Sequence, residues 1–272
     1  MEKIGKKKTR TGFVVVPPLI LLIGLGPSVL LVLLVLVATF FGLREFFTLS
    51  LPHGKRIERC IGIGAGLILC LLVTYGGPRF TAPFLVCILL LFTFLFMVTS
   101  ENLLPTISNI GMTLFGILYI AFLLSYVPLI RNLPEGRLWV LFLIATVWAG
   151  DIAAYLTGSR WGRHKLYPKV SPMKTYEGLL GAIVGSTLVS LVFTSICFPS
   201  FRTSGSLFLG LGIGLLGQMG DLTESMLKRS AQVKDSGSLI PGHGGMLDRL
   251  DSFLFSAPFL HYSLLYLFKE TP

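Results

Sequence analysis

Residues 27–49 read PSVLLVLLVLVATFFGLREFFTL, a run that is almost wholly aliphatic and aromatic. An α-helix rises about 1.5 Å per residue, so about 20 such residues cross a hydrocarbon core of about 30 Å. The stretch is long enough for one crossing, and its solvent is lipid. Outward from it, comparable runs fill most of the chain, at 13–25, 57–76, 80–100, 104–130, 137–158, 177–197, 205–226 and 249–268, each bounded by Gly, Pro or charge. The composition agrees: 53% of the 272 residues are hydrophobic and 13% are charged, with a mean hydropathy of +0.79, outside the balance of a soluble domain. The expected fold is all-α, a polytopic helical membrane protein with nine membrane helices.

The open point is Phe13 to Leu49, which reads as one long helix or as two broken at Gly24, Gly26 and Pro27. Charge decides between them. With two helices, the N-terminus, the 50–56 loop, the 100–103 turn, the 159–176 loop and the 227–248 loop share one side. That side then collects 18 of the 23 Lys and Arg residues, leaving Arg79, Arg131, Arg137, Arg202 and Lys269 on the other. The positive-inside rule assigns the rich face to the cytoplasm, in a bacterium at the inner (plasma) membrane. The 13–25 run is short for a full span and reads as tilted, interfacial or re-entrant. Its basic head (Lys3, Lys6, Lys7, Lys8, Arg10) precedes an apolar stretch without a small-residue cleavage site, so a retained anchor is expected.

A formal charge of +10 raises the question of nucleic acid, but the basic residues are scattered over short loops and not gathered on a soluble module, so no nucleic-acid partner is expected. Cys60, Cys70, Cys87 and Cys197 have no metal-type spacing and read as packing residues. The asymmetry of the acids is more informative. All five aspartates fall after residue 150, while the early spans are nearly free of polarity. Residues 1–136 therefore read as scaffold helices and 137–272 as the helices carrying a cavity, in one integral membrane unit.

An aspartate within an apolar span costs roughly 3 kcal/mol on insertion scales, so it normally faces a bundle interior and has a partner. Asp151 is one such residue, either a helix–helix hydrogen bond between small-residue faces or a polar wall of the site, with Tyr155 one turn further on. In Gly217-Gln-Met-Gly-Asp221-Leu-Thr-Glu224-Ser225 the i, i+3, i+4 spacing puts Asp221, Glu224 and Ser225 on one helical face. Asp248 and Asp251 share a face at the start of the last span. Each pair also has a structural reading, as partners of Lys228 or as complements of a helix dipole. Together, four acids at one membrane edge repel unless cations sit among them. Asp221, Glu224, Asp248 and Asp251 are therefore the candidate ligands of Mg²⁺, with room for a second cation.

Between the acid pairs, Lys228 and Arg229 suit phosphate recognition as well as ordinary anchoring at the basic face. The stretch from Lys234 to Gly245 adds His243 and the glycines Gly237, Gly242, Gly244 and Gly245, which allow backbone N–H groups close to a phosphate. Arg249 follows. The other long polar loop carries Arg160, Arg163, His164, Lys165 and Lys169, then Ser171-Pro-Met-Lys174-Thr-Tyr-Glu-Gly178; its bases suit either lipid headgroups or substrate.

The pattern Ser225-x-Leu227-Lys228-Arg229-x4-Lys234-Asp235-x-Gly237-x2-Ile240-Pro241-x-His243-Gly244-Gly245-Met246-x-Asp248-Arg249-x-Asp251 resembles the signature of the phosphatidate cytidylyltransferases, or CDP-diacylglycerol synthases, of the prokaryotic type. Ser171 to Gly178 is similar to the same family's Ser-Pro-Lys-Lys-Thr-aromatic-Glu-Gly segment, with Met173 in place of a lysine. The likeness covers about residues 145 to 260. It implies transfer of CMP from CTP to phosphatidic acid with a divalent metal, and a homodimer. On that reading Asp221, Asp248, Asp251, Lys228 and Arg229 are catalytic, and Ser171, Lys174, Lys234, His243, Gly244, Gly245, Arg249 and Asp151 bind substrate. Two other readings stand beside it: a CTP-dependent enzyme acting on another lipid or polyprenol, and a polytopic transporter. The Asp-Gly-x2-Ala-Arg motif of the CDP-alcohol phosphotransferases is absent.

Overall fold

The computed structural model describes residues 17–18, 20–51, 55–100, 103–233, 236–237 and 244–268. A short helix over 20–25 ends at a bend at Gly26, and Pro27, extended at φ −65° and ψ 153°, starts α1 (Ser28–Ser50). The break expected between Gly24 and Pro27 is present; residues 13–16 and 19 of that run lie outside the described residues. There follow α2 (Arg56–Leu71) with a π-helical end (Leu72–Gly76), α3 (Pro78–Thr99), α4 (Leu103–Gly116) running through a π-helical segment (Ile117–Phe122) into α5 (Tyr126–Arg131), and α6 (Gly136–Trp161). Pro78 opens α3 directly after Gly77, whose φ of +68° makes the reversal that an L side chain resists. Then come a two-stranded antiparallel hairpin, β1 (Lys165–Tyr167) and β2 (Ser171–Thr175), and the helices α7 (Tyr176–Cys197), α8 (Thr203–Ser230) and α9 (Leu247–Tyr262), the last with a π-helical end (Ser263–Leu267).

Seven of the nine expected spans are helices long and apolar enough to cross a membrane among the described residues. The two exceptions have separate reasons. The 13–25 run is only partly described, and α9 opens on Asp248, Arg249 and Asp251 and buries Ser252, Ser256 and His261, which makes it a polar helix by membrane standards. The all-α polytopic fold stands.

Two packing regimes divide the bundle. Around α1 to α4 large side chains fill the interior: Leu43, Phe46, Phe47, Phe92, Phe96, Ile117 and Ile120 are buried, and Leu247 and Leu254 of α9 join them. On α7 the lipid-facing stripe Leu180, Val184, Leu188, Val192, Ile196 stands opposite a stripe of Gly178, Gly181, Ala182, Ser186, Ser190 and Thr194. Lipid tails are as apolar as leucine, so membrane helices gain most by close backbone approach and interhelical hydrogen bonds. Here a β-carbon on Gly185 would lie 2.5 Å from that of Ala153 in α6, and one on Gly214 of α8 would lie 2.8 Å from the Cα of Ile183. Ser186 donates to the Thr146 carbonyl (3.0 Å) and Ser190 to that of Ser206 (2.6 Å). The α6–α7–α8 group is thus the tighter half of the molecule.

Contacts between loops mark two ends of the bundle. At one end Lys55 donates to the Thr99 carbonyl (2.9 Å), Arg229 to that of Val170 (3.2 Å), and Leu247 N–H to Glu45 (2.9 Å). At the other, Arg131 donates to the Gly26 carbonyl (3.3 Å), Trp139 stacks on Phe198 and Phe201 packs on Phe268.

Candidate active site

The site begins where α8 and α9 cross. A β-carbon on Gly220 would come within 3.0 Å of the Asp251 carbonyl carbon, and closer still to its oxygen, so the two backbones meet with nothing between them. That approach sets Asp221 and Glu224, one helical turn apart on α8, against Asp251 on α9. One carboxylate oxygen from each lies within 4.8 Å of the others. Glu224 is 1% exposed and Asp251 9%.

At that separation each pair of anions repels by roughly 3 kcal/mol at an effective dielectric of about 20. Two lysines flank the triad. Lys228 Nζ lies 2.5 Å from Glu224 Oε2 and 2.6 Å from Asp248 Oδ1, and Lys174, brought in by β2, lies 2.8 Å from Asp221 Oδ2. Glu224 Oε1 has no hydrogen-bond partner among the described residues. A buried carboxylate oxygen without a donor is costly, and the donor set of three carboxylates in one small volume is what a hard divalent cation takes. The group can hold a metal ion.

Of the four expected metal ligands the structure brings together three. Asp248 shares a helical face with Asp251, yet its oxygens are turned to the loop before α9. Oδ2 accepts from Gly245 N–H (2.8 Å), Ser236 N–H (3.3 Å) and the Ser236 hydroxyl (2.9 Å), while Oδ1 takes Lys228. Lys228 stands between it and Glu224, and Glu224 completes the triad with Asp221 and Asp251.

The candidate substrate-binding residues separate. Lys174 lines a cavity of about 690 Å³ between α6, α7, β2 and α8, together with Asp151, Tyr155, Gln218 and Asp221. Asp151 satisfies both readings of its position: Oδ1 accepts from Gln218 Nε2 (3.3 Å) and Ser252 Oγ (3.4 Å), joining three helices, and the residue still lines the cavity. Ser171 pairs with Tyr167 in the hairpin and is not part of that lining. Arg229 ties the hairpin to the loop after α8, donating to the carbonyls of Val170 and Val233. Arg249 is exposed in the first turn of α9. Gly244, at φ +78°, and Gly245 lie against Asp248, Ser236 and Glu45. Lys234 and His243 lie outside the described residues.

Sequence reasoning passed over two contributors. Gln218 lies one turn before Asp221 and joins Asp151 to α8. Glu45, in α1, accepts from Met246 and Leu247 N–H at the start of α9 (both 2.9 Å). The rule that singled out Asp151, an acid within an apolar run, applies equally to Glu45.

The sequence matches the model of the cytidylyltransferase family over residues 6–267. It is similar to a phosphatidate cytidylyltransferase of a Synechocystis species, 36% identical over 257 residues covering 82% of this chain and 84% of that protein. The phosphatidate cytidylyltransferase of Bacillus subtilis is 39% identical over 181 residues, 66% of each chain. That of Staphylococcus aureus is 33% identical over 235 residues, 84% of this chain and 87% of that one.

Proposed function

The chain belongs to the cytidylyltransferase family, and from that membership we propose that it transfers CMP from CTP to phosphatidic acid, giving CDP-diacylglycerol and pyrophosphate in phospholipid biosynthesis. The observation that carries the reading is the carboxylate triad with a lysine on either side, placed where α8 and α9 meet and opening through Asp221 onto a cavity. The lipid's phosphate is already ionised near neutral pH, so the reaction needs charge neutralisation and in-line alignment more than a protein base. A Ser-His-Asp arrangement is not required.

Asp221, Glu224 and Asp251 are the proposed holders of Mg²⁺, and a second cation is part of the proposal. Bound there, the ion would supply charge neutralisation and alignment of phosphate oxygens. The chain's own residues do the rest. Lys174 faces the cavity and can leave Asp221 for a phosphate. Lys228, gripped by Glu224 and Asp248, is held as a fixed positive charge beside the triad. Asp248 orients Lys228 and the loop before α9. Arg229 fixes the hairpin that delivers Lys174.

The end of the bundle carrying the site is proposed to face the cytoplasm at the plasma membrane, where CTP arrives from water and phosphatidic acid from the bilayer. The excess of Lys and Arg in the loops of that end supports this orientation. A homodimer is proposed from the family resemblance.

The test is purified protein in detergent with CTP, phosphatidic acid and Mg²⁺, each omitted in turn. CDP-diacylglycerol should form only with all three. Consumption of CTP with a polyprenol as acceptor and none with phosphatidic acid would move the function to another lipid. Absence of any CTP turnover in detergent, with transport in vesicles, would favour a transporter.

A further inference from the structure

Glu45 is outside the triad and the cavity lining, yet both its oxygens are committed to the chain that leads into α9. Oε1 accepts from Met246 N–H and Oε2 from Leu247 N–H, and the Ser236 hydroxyl lies 3.1 Å from Oε2. The first N–H groups of a helix have no carbonyl of their own helix to bond, and an anion there also complements the helix dipole. Most such caps come from the adjoining sequence; this one reaches across 202 positions. Its aim is rigid, because the buried Leu43, Phe46 and Phe47 fix the rotation of α1. One turn earlier, a β-carbon on Gly42 would be 3.7 Å from Leu250 in the first turn of α9.

The described parts of the loop, 236–237 and 244–246, close around this carboxylate. A β-carbon on Gly237 would lie 2.7 Å from Glu45 Oε1, and one on Gly245 would lie 2.7 Å from Glu45 Cδ. The Ser236 hydroxyl lies between Glu45 Oε2 and Asp248 Oδ2, and the Gly245 N–H donates to Asp248. Glu45 from α1 and Asp248 from α9 therefore hold consecutive N–H groups of one segment, Gly245 by Asp248 and Met246 and Leu247 by Glu45, with the Ser236 hydroxyl between the two acids.

We propose that Glu45 is a positioning residue for the divalent-cation site: by capping α9 from α1 it sets the register of α9 on α8, and so the distance from Asp251 to Asp221 and Glu224. The proposal rests on the triad being a cation site. It is tested on the full-length purified protein with Mn²⁺ alone as probe, free Mn²⁺ being read by electron paramagnetic resonance without nucleotide or lipid. Glu45→Ala should weaken binding by about 10–100-fold, the range seen when groups that orient metal ligands are removed. Glu45→Gln, nearly isosteric, should fall between, since its amide keeps one acceptor but turns an N–H₂ toward an N–H donor, and it carries the test if Glu45→Ala does not fold. Glu58→Gln removes another buried carboxylate, bonded to Thr99 and Lys55 away from the site, and should leave Mn²⁺ affinity unchanged at an equal loss of thermal midpoint. Wild-type affinity in the Glu45 variants, or an equal loss in Glu58→Gln, overturns the proposal. Absence of Mn²⁺ binding by the wild type, with Asp251→Asn no different, overturns the cation site itself and the proposal with it.

Discussion

Replacing Gly220 with alanine puts a methyl group where α9's backbone already is. Its carbon would lie 3.0 Å from the Asp251 carbonyl carbon, whereas carbon atoms rest about 3.5–4.0 Å apart. The crossing must therefore open by at least about 0.5–1 Å, and further where the β-carbon meets the Asp251 carbonyl oxygen, at the residue that supplies one of the three carboxylates. Overpacking of this kind costs about 1–3 kcal/mol of stability, and a misplacement of about 1 Å at reacting groups can cost on the order of 10²-fold in rate. Gly217→Ala is the matched control: it lies one turn earlier on the same helix, and its β-carbon would meet Ser252 at 3.7 Å, an ordinary contact. The measurement is the rate of CDP-diacylglycerol formation in detergent at saturating Mg²⁺, paired with thermal midpoints. Gly220→Ala should lose about 10²-fold in kcat while Gly217→Ala stays near wild type. If Gly220→Ala kept a rate within roughly threefold of wild type, the claim that this crossing spaces reacting groups, where about 1 Å matters so steeply, would be refuted.

Chelation of divalent ions should abolish turnover, and added Mg²⁺ should restore it; turnover that survives exhaustive chelation would remove the triad from the mechanism. Asp251→Asn should lose Mn²⁺ binding in the absence of substrates, whereas Asp248→Asn, whose carboxylate is turned to Lys228 and the loop, should retain measurable binding and lose mainly kcat. Lys174→Ala should raise the KM for CTP by roughly tenfold, the loss of one charge-assisted contact, read in initial rates across CTP concentrations. Gly185→Leu should destabilise the α6–α7 contact by more than the lipid-facing Val184→Leu, since a β-carbon at 185 already lies 2.5 Å from Ala153, and thermal unfolding in detergent compares the two.

The spans were legible because crossing lipid demands long apolar runs whatever their neighbours do. The hairpin over 165–175 was not, since its strands are short, polar and paired only with each other. Asp221 and Glu224 could be grouped from their spacing on one helix. Their meeting with Asp251 depends on the Gly220 crossing, which no periodicity records. Asp248 and Asp251 look equivalent at i, i+3, and what separates them is the set of N–H donors that the 236–245 loop aims at Asp248 alone. Glu45, inside an apolar run, could be marked as an acid in need of a partner, but its partners are some two hundred residues away and nothing local to α1 identifies them.

A glycine-rich stretch beside basic residues invites a phosphate-cradle reading, and the atoms around Gly237, Gly244, Gly245 and, on α8, Gly220 show a further task for glycine here. Gly220 has α9's backbone at its Cα, Gly237 and Gly245 have Glu45, and Gly244 has Asp248, whose Oδ2 would lie 2.8 Å from an added β-carbon. Each glycine lets an acid, or the chain bearing one, come nearer than a side chain permits. Four N–H groups of this stretch serve acids of the chain: those of Ser236 and Gly245 point to Asp248, and those of Met246 and Leu247 to Glu45. These four backbone donors neutralise the protein's own carboxylates. A polyphosphate entering the cavity would then meet mobile side-chain charge, Lys174 first, and the triad would meet it with whatever cation it holds. If backbone serves the acids and side chains serve the substrate, the KM effect of Lys174→Ala should exceed that of Gly244→Ala, whose harm would appear in folding and in kcat.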